Sequence, residues 1–475
     1  MPTEINGQNH RSPIQTSEPF PLNKLGTGIP ASFVRRRINL LKNTYSPMNQ
    51  PAEFAQKKCN GFFSISEKLK SKFSASIGSI SLLISLFSIA GMGDTWGQSF
   101  SYNPWEAKKP APLPAPASIF EGFWLSGDLH LHSRHSKEST NNPLPKIFAF
   151  AESMGMSFIC VTDHDNHVQG DVANHTWADP DFKSDSLILL YGAEWTTTRG
   201  HGNTFSATPY DHRLFYHVRD QRDTLIGRVK NEMGIHLSAN HPSGKDHFGY
   251  SYDIINSIEV WNSALWEKNV EAIMIWDDML SSGRMITGRG GSDAHHGYPD
   301  SPEEATKNTP ERDFNYIGTP TTWVFASEKS GEAVVDALTN GRVSISVNPK
   351  SPRVEFYADL NEDGLMDMMM GDNAHAPGHP VKFRVKLAGT TLLDSTYTIK
   401  VIKNGREFET IEAAGKGKEI QVEFSDTPEE IGRTYYRIAV EGTPTPFPEV
   451  PNSMGISKNR VGLSNPIYFN FDPEF

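Results

Sequence analysis

Cysteine is scarce in this chain: two in 475 residues, Cys59 and Cys160, too few for a disulfide framework. Cys160 lies inside the apolar run Ser157-Phe-Ile-Cys-Val-Thr162, where a buried, inert thiol is expected. Positive charge is short as well. The net charge is −11 and the pI about 5.9, and Lys and Arg are scattered through the folded part without a basic tract. That excludes the basic face on which nucleic-acid binding depends. Long apolar runs are missing too. Ser74–Ala90 is short and dotted with serine, and it falls short of a membrane span. No internal repeat is present.

What remains is an ordinary globular composition, 37% hydrophobic and 21% charged with nine Trp. The length suits two folded domains plus extensions, at about 100–200 residues per domain. Residues 1–73 are polar and rich in Pro, Ser and Asn, which predicts a disordered extension. Lys68-Leu-Lys-Ser-Lys72 followed by the Ser74–Ala90 run reads as a basic flank and a short apolar core. That pattern fits an export signal over 74–92, with cleavage after Ala90 or retention as a membrane anchor, and with Met48 as an alternative start. The sequence therefore predicts an exported protein, periplasmic or extracellular. Residues 93–119 hold a Pro-rich, extended spacer.

From about residue 120 the texture changes. Apolar runs recur at Trp124–Leu131, Met156–Val161, Leu187–Tyr191, Met233–Leu237, Ile255–Trp261, Met285–Thr287 and Thr321–Phe325. Helical patterns fall between them at Pro145–Met154, Thr224–Glu232 and Trp266–Leu280, with a closing helix over Gly331–Asn340. Such alternation predicts a parallel α/β sheet or barrel over 120–350. From 351 to 475 the pattern has period two, as in Val381–Leu387, Thr396–Ile402, Ile420–Phe424 and Tyr435–Val440. That predicts an all-β, sandwich-like module.

Fourteen of the 17 histidines lie between His130 and His296. They concentrate in motifs at the ends of the predicted strands. Asp128-Leu-His-Leu-His132 puts His130 and His132 two apart, on one face of a strand. Thr162-Asp-His-Asp165 follows the second run, Gly192-Ala-Glu194 ends the third, and Gly200-His-Gly202 comes shortly after. Ala239-Asn-His-Pro242 and Gly290-Gly-Ser-Asp-Ala-His295 complete the set. Each alone has an ordinary reading as a cap, a turn or a solvated strand end. Together they deliver His, Asp or Glu at the C-terminal ends of consecutive strands, where α/β barrels build their sites. Mixed imidazole and carboxylate donors suit Zn²⁺, Mn²⁺ or Fe²⁺ rather than the all-oxygen shells of Ca²⁺ or Mg²⁺.

In this order the motifs resemble those of the PHP (polymerase and histidinol phosphatase) superfamily, over about Trp124–Val347. Gly200-His-Gly-Asn203, Thr319-Pro-Thr-Thr-Trp323, Ala337–Val343 and Leu463-Ser-Asn-Pro-Ile467 resemble its carbaryl-hydrolase-like (CehA/McbA) branch and extend the likeness to the C-terminal module. The resemblance implies a distorted seven-stranded (β/α) barrel with two or three divalent ions. It implies His130, His132, Glu194 and Asp293 around one ion and Glu138, His164 and His295 around a second. His201 and His241 would hold a third, with Glu194 bridging. Glu138 departs from the family pattern, and His135 competes for its place. Asp293 and His295 are also the expected catalytic groups, as proton shuttles. His167, His236, His247 and His296 have no motif counterpart. Arg134, Lys137, Arg199 and Lys245 flank the motifs and could bind an anionic substrate.

A second cation signal lies in Asp359-Leu-Asn-Glu-Asp-Gly-Leu-Met-Asp367. Asp359, Asn361, Asp363 and Asp367 take positions 1, 3, 5 and 9 of an EF-hand-like loop, but Met370 replaces the Glu at position 12. It is either a Ca²⁺ loop joining β elements or an acidic hairpin. The function expected is hydrolysis of a small molecule by metal-activated water, foremost of a phosphate ester. The alternatives are hydrolysis of a carbamate, ester or amide, or metal or glycan binding without catalysis.

Overall fold

Each apolar run between residues 120 and 330 forms or adjoins a strand of one large sheet in the computed structural model. The model describes residues 118–473 except 140, 244–246, 264–265, 299, 301–315, 391, 416, 418 and 448–458. The chain divides into two units, Met1–Ser101 and Tyr102–Phe475, and every described residue belongs to the second. The expected extension, the export segment and the spacer as far as residue 117 lie outside the described residues. No described helix is long and apolar enough to cross a membrane.

β1 (Phe123–Asp128), β2 (Phe158–Val161), β3 (Ile188–Thr197), β4 (Gly200–Ser206), β5 (His236–Ala239), β6 (Ser257–Asn262) and β7 (Thr287–Gly291) follow one another across the sheet. β1, β2 and β3 pair in parallel, and so do β5, β6 and β7. β4 runs antiparallel between β3 and β5. Every residue of β2, β5, β6 and β7 is buried, as expected of parallel strands covered on both faces.

β8 (Thr321–Ala326) and β9 (Val343–Ser346) extend the sheet antiparallel from the far side of β1. Their position corrects the expectation of a closed barrel, because the sheet stays open. β1 has two edges, one paired with β2 and the other with β8, so none is left for β7. The segment beyond β7 still reaches the segment beyond β1, through the isolated bridge Leu131↔Ala294 and the bond from Asp293 N to His130 O, and Gly290 of β7 bonds the Thr322 side chain of β8.

α1 (Leu144–Ser153), α2 (His212–His217), α3 (Asp223–Glu232), α4 (Trp266–Ser282) and α5 (Gly331–Thr339) are the described α-helices. α1 buries Leu144, Ile147, Phe148 and Ala151, the i, i+3, i+4, i+7 stripe of an amphipathic helix. The Ser330 side chain caps α5 by accepting the Ala333 N–H, and Gly341 follows at φ 71°, a left-handed stop.

The C-terminal region is β-rich. β10 (Arg353–Asp359), β11 (Met368–Met369), β13 (Val381–Ala388) and β16 (Ile420–Asp426) make a separate four-stranded sheet. β12 (Asn373–Ala374), β14 (Thr396–Lys403), β15 (Arg406–Ala414), β17 (Thr434–Glu441), β18 (Arg460–Ser464) and β19 (Ile467–Phe469) belong instead to the large sheet, through the pairing of β18 with β9. The two layers meet at Phe383, whose ring centroid lies 4.6 Å from that of Tyr436 and 6.2 Å from that of Phe469. The C-terminal strands also grip the α/β part. Asn465 Oδ1 accepts from Gly288 N at 2.8 Å, and its Nδ2 donates to Gly288 O. Arg437 makes a bidentate ion pair with Asp277 on α4, at 2.9 and 2.6 Å.

Candidate metal centre

The six parallel strands end at one edge of the sheet, and the predicted motifs meet there. His130 and His132 follow β1, His164 follows β2, His241 follows β5, and Asp293 and His295 follow β7. Glu194 lies within β3. His201 sits at the start of β4, where the hairpin pairs Thr196 with His201 and so keeps the histidine at the same edge. A strand was not foreseen there.

Glu194 is the centre of the cluster. Its Oε1 lies 3.3 Å from His130 Nε2, 3.2 Å from His201 Nδ1 and 3.3 Å from His241 Nε2. Its Oε2 lies 2.8 Å from His164 Nδ1 and 3.5 Å from His132 Nε2. Asp293 Oδ1 is 3.4 Å from His130 Nε2, 3.2 Å from His132 Nε2 and 3.5 Å from His295 Nδ1. Glu138 approaches His164 Nε2 at 2.6 Å and His295 Nε2 at 3.9 Å. Its competitor His135 turns away to Asp179, at 2.8 Å. All nine predicted ligands are therefore brought together.

Three groups place their donor atoms close enough to hold an ion: His130, His132 and Asp293; His132, His164 and His295; and His130, Glu194 and His241. This partition differs from the one the resemblance implies, because His130 and His132 are each shared by two groups. The floor is sealed, with His130, His132 and Glu194 at 0%, 0% and 1% exposure. The rim is open, with the side chains of His201, Asp293 and His295 at 21%, 20% and 22%.

Backbone strain collects here too. His241 has φ 23° and Asp293 φ 54°, left-handed values that cost about 1–3 kcal/mol each for such residues. Hydrogen bonds hold both. His241 N donates to Glu259 Oε2 at 2.8 Å, and Asp293 N donates to His130 O at 2.7 Å.

Burial disfavours charge throughout the cluster, yet for most members the neighbouring opposite charges prevail. Against burial, Glu259, Asp293 and Glu194 raise the His130 pKa well above the ordinary imidazole value. Also against burial, His164, His130 and His201 hold Glu194 well below the ordinary carboxyl value, and Asp293 is held low by His130, His132 and His295. Burial opposed by Glu194 and Glu138 leaves His164 at about 10. His132 goes the other way: burial, with His295 and His164 beside it, lowers it to about 3. The cluster thus holds ionised carboxylates that favour positive charge among them. His132 is neutral, the form of imidazole that binds metals.

The residues fit a divalent ion on two counts. His130 Nε2 and Glu194 Oε2 are buried and stand within ion-pair distance of Glu194 Oε1 and His164 Nδ1, yet neither makes a hydrogen bond of proper geometry, so both are open to a cation. The mixed nitrogen and oxygen donor set is of the kind that Zn²⁺, Mn²⁺ and Fe²⁺ take.

Glu259 and Arg289 escaped the sequence reading, and Asn240 and Asp128, though inside its motifs, carried no assigned role. Glu259 and Arg289 are both fully buried, and Glu259 accepts from His130 Nδ1 at 2.9 Å. Asn240 Nδ2 donates to Glu194 Oε1 at 3.0 Å. Asp128 ties three segments by accepting from His130 N, Ser292 N and Gly318 N. The available signal was a lone Glu and a lone Arg inside strands that are otherwise apolar or small, since fully buried charges require partners.

Of the flanking cations, Arg134 pairs with Asp179, and Arg199 pairs with Asp223 and lies over the Tyr250 ring. Lys245 lies outside the described residues. His236 is buried and bonded to Ser257 and Thr339, a structural role.

In the acidic loop after β10, Asp359, Asn361, Asp363 and Asp367 accept backbone N–H groups of Leu360, Asn361, Asp363, Gly364 and Leu365. Among the described residues, the carboxylates of Asp359, Asp363 and Asp367 are not one of the close groups of three His, Asp or Glu donors.

No family model matches the sequence, and no curated protein matches it. Among solved structures, one match is a two-domain protein from Bacteroides vulgatus containing a predicted PHP-like metal-dependent phosphoesterase. It is 16% identical, covers 76% of this chain and 99% of that one, and has a TM-score of 0.33. Another is a CARDB domain from Pyrococcus furiosus in complex with di-metal ions, 18% identical over 25% of this chain and 91% of that one, with a TM-score of 0.15. Both TM-scores are low, and the functional reading rests on the side chains of the cluster.

Proposed function

We propose that this protein is a metal-dependent hydrolase of the PHP type and that its substrates are phosphate esters. One observation carries the reading: a single buried carboxylate, Glu194, bordered within 3.5 Å by nitrogens of His130, His132, His164, His201 and His241. Such a constellation is costly to bury and has no structural use that a hydrophobic cluster would not serve better.

His130, His132, Glu194 and His241 would hold ions on the floor, and Asp293, His164, His295 and Glu138 would complete the set toward the rim. When bound, such ions polarise a phosphoryl oxygen and lower the pKa of water to about 7. Asp293 and His295, at the half-open rim, would take the proton from the attacking water and pass it to the departing alkoxide as the P–O bond breaks. The buried floor excludes bulk water from one side, so substrate enters over His201 and His295.

A second reading is hydrolysis of a neutral carbamate or ester. It is favoured by the engagement of Arg134 and Arg199 with Asp179 and Asp223, which takes two guanidinium groups away from a dianionic substrate.

The test is metal analysis of wild type, His130→Ala and Asp293→Ala, with assays on an aryl phosphate, a phosphodiester and a naphthyl carbamate under Zn²⁺, Mn²⁺ and Fe²⁺. Bound ions in the wild type, lost together with phosphatase activity in both variants, are expected. Turnover of the carbamate alone would transfer the assignment to the second reading. A wild type that binds no metal and turns over nothing sinks both.

A further inference from the structure

Glu259 lies in the middle of β6, fully buried, in a strand whose neighbouring residues Ile258 and Val260 are apolar. Both of its oxygens are occupied. Oε1 takes the His130 Nδ1 hydrogen at 2.9 Å and an Arg289 Nη1 hydrogen at 2.9 Å. Oε2 takes the His241 backbone N–H at 2.8 Å. An acceptor behind Nδ1 holds a proton there, so the neutral ring that binds a cation would direct its Nε2 lone pair into the cluster. The same carboxylate anchors the backbone of His241 at its left-handed φ of 23°. One side chain thus governs the presentation of two histidines that lie far apart in the chain.

Arg289 steadies the arrangement from beneath. Its Nη1 binds Glu259, its Nη2 binds Asn240 Oδ1 and its Nε binds Ser238 Oγ. Asn240 passes the constraint on, donating to Glu194 Oε1 at 3.0 Å. The buried guanidinium therefore braces an acceptor behind His130 and a donor against Glu194 at once.

We infer that Glu259 is the positioning residue of this centre: it sets the His130 tautomer and pins the His241 backbone, and Arg289 orients its carboxylate. The inference rests on the metal-centre reading above.

Cobalt(II) titration of the full chain, followed by visible absorption, tests it. Glu259→Gln has the same shape but offers one acceptor and one donor, so it cannot accept from both His130 and His241 N–H groups. The variant is expected to keep the melting temperature of the metal-free wild type to within a few degrees. It is expected to bind cobalt about 10–100-fold more weakly, with a changed absorption spectrum. Asp277→Asn, which alters a partly buried ion pair on α4 outside the cluster, serves as the control and keeps wild-type affinity and spectrum. Wild-type affinity and spectrum in Glu259→Gln would overturn the inference, as would an equal loss in the control. Should Glu259→Gln fail to fold, Glu259→Asp replaces it with the same expectation. Failure of both to fold would assign Glu259 to the fold alone and overturn the inference. A wild type that binds no cobalt would instead remove the metal-centre reading itself.

Discussion

Neutralising Glu194 removes the one charge that five imidazoles share. Glu194→Gln keeps the shape of the side chain, so the cluster is expected to stay assembled but to lose at least one bound ion. The loss in kcat/KM is expected on the order of 10²–10³, the scale of several kcal/mol of transition-state stabilisation. Steady-state assay beside metal analysis reads both. Away from the cluster, Asp179 lends itself to a pH experiment. Against burial, the Asp181 N–H, Arg134 and His135 lower its pKa from 3.8 to about 2. A carboxyl depressed in the folded state stabilises at pH above its unfolded value and loses that contribution as pH falls through the folded one. The gap in melting temperature between wild type and Asp179→Asn is therefore expected to be constant above about pH 5 and to shrink between pH 4 and 2. At this scale the sequence was informative where residues come in spaced groups. His130 and His132, or Asp293 and His295, declare themselves through an i, i+2 interval after an apolar run. Glu259 has no such interval. Its role depends on which strands become neighbours, and that information is not local.

The register of β7 against β6 leaves no room beside Gly291. A Cβ there would come within 2.5 Å of both Glu259 Oε1 and His130 Cβ. Gly291→Ala is expected to destabilise the protein by about 1–3 kcal/mol through overpacking and to weaken metal binding along with it. Thermal melting with and without Zn²⁺ checks both effects. Helices α1, α3, α4 and α5 fall within two residues of their predicted spans, because amphipathic spacing is a strong signal. β4 was missed because Gly200-His-Gly-Asn-Thr-Phe-Ser206 has neither β-branched enrichment nor apolar alternation; it is a strand because β3 and β5 flank it. β15 was missed for a different reason. Among the described strands it pairs only with β14, and most of its residues face solvent, so burial imposed no pattern on it.

Among the described residues, the α/β part shares one sheet with part of the C-terminal region, and some C-terminal side chains pack into the α/β core. Tyr435, Ala439, Leu463, Tyr468 and Phe471 pack in the same buried cluster as Val324 and Ile345. Asp277→Ala would strand Arg437, only 5% exposed, without its partner. The expected cost is about 3–5 kcal/mol, read as a shift of the urea midpoint, with the cobalt spectrum of the remaining folded fraction unchanged. A chain cut after Val347 is expected to expose this cluster and to be recovered insoluble, as sedimentation after expression would show. The distorted seven-stranded barrel implied by the family likeness is met only by a large α/β sheet that does not close, because a motif near a strand end says nothing about what pairs with the far edge of β1.

The interior place of β18 has a consequence in time. It lies between β9 and β17; its Leu463 accepts from Ser344, 119 positions earlier, and the adjoining Asn465 clasps Gly288, 177 positions earlier. Pairings that span such separations close late and slowly, since the entropy of the intervening loop is lost before the contact is gained. The strand that carries Asp293 and His295 to the rim therefore waits for a segment made long after it. During synthesis the α/β half stands with an unpaired edge at β9 until that segment arrives.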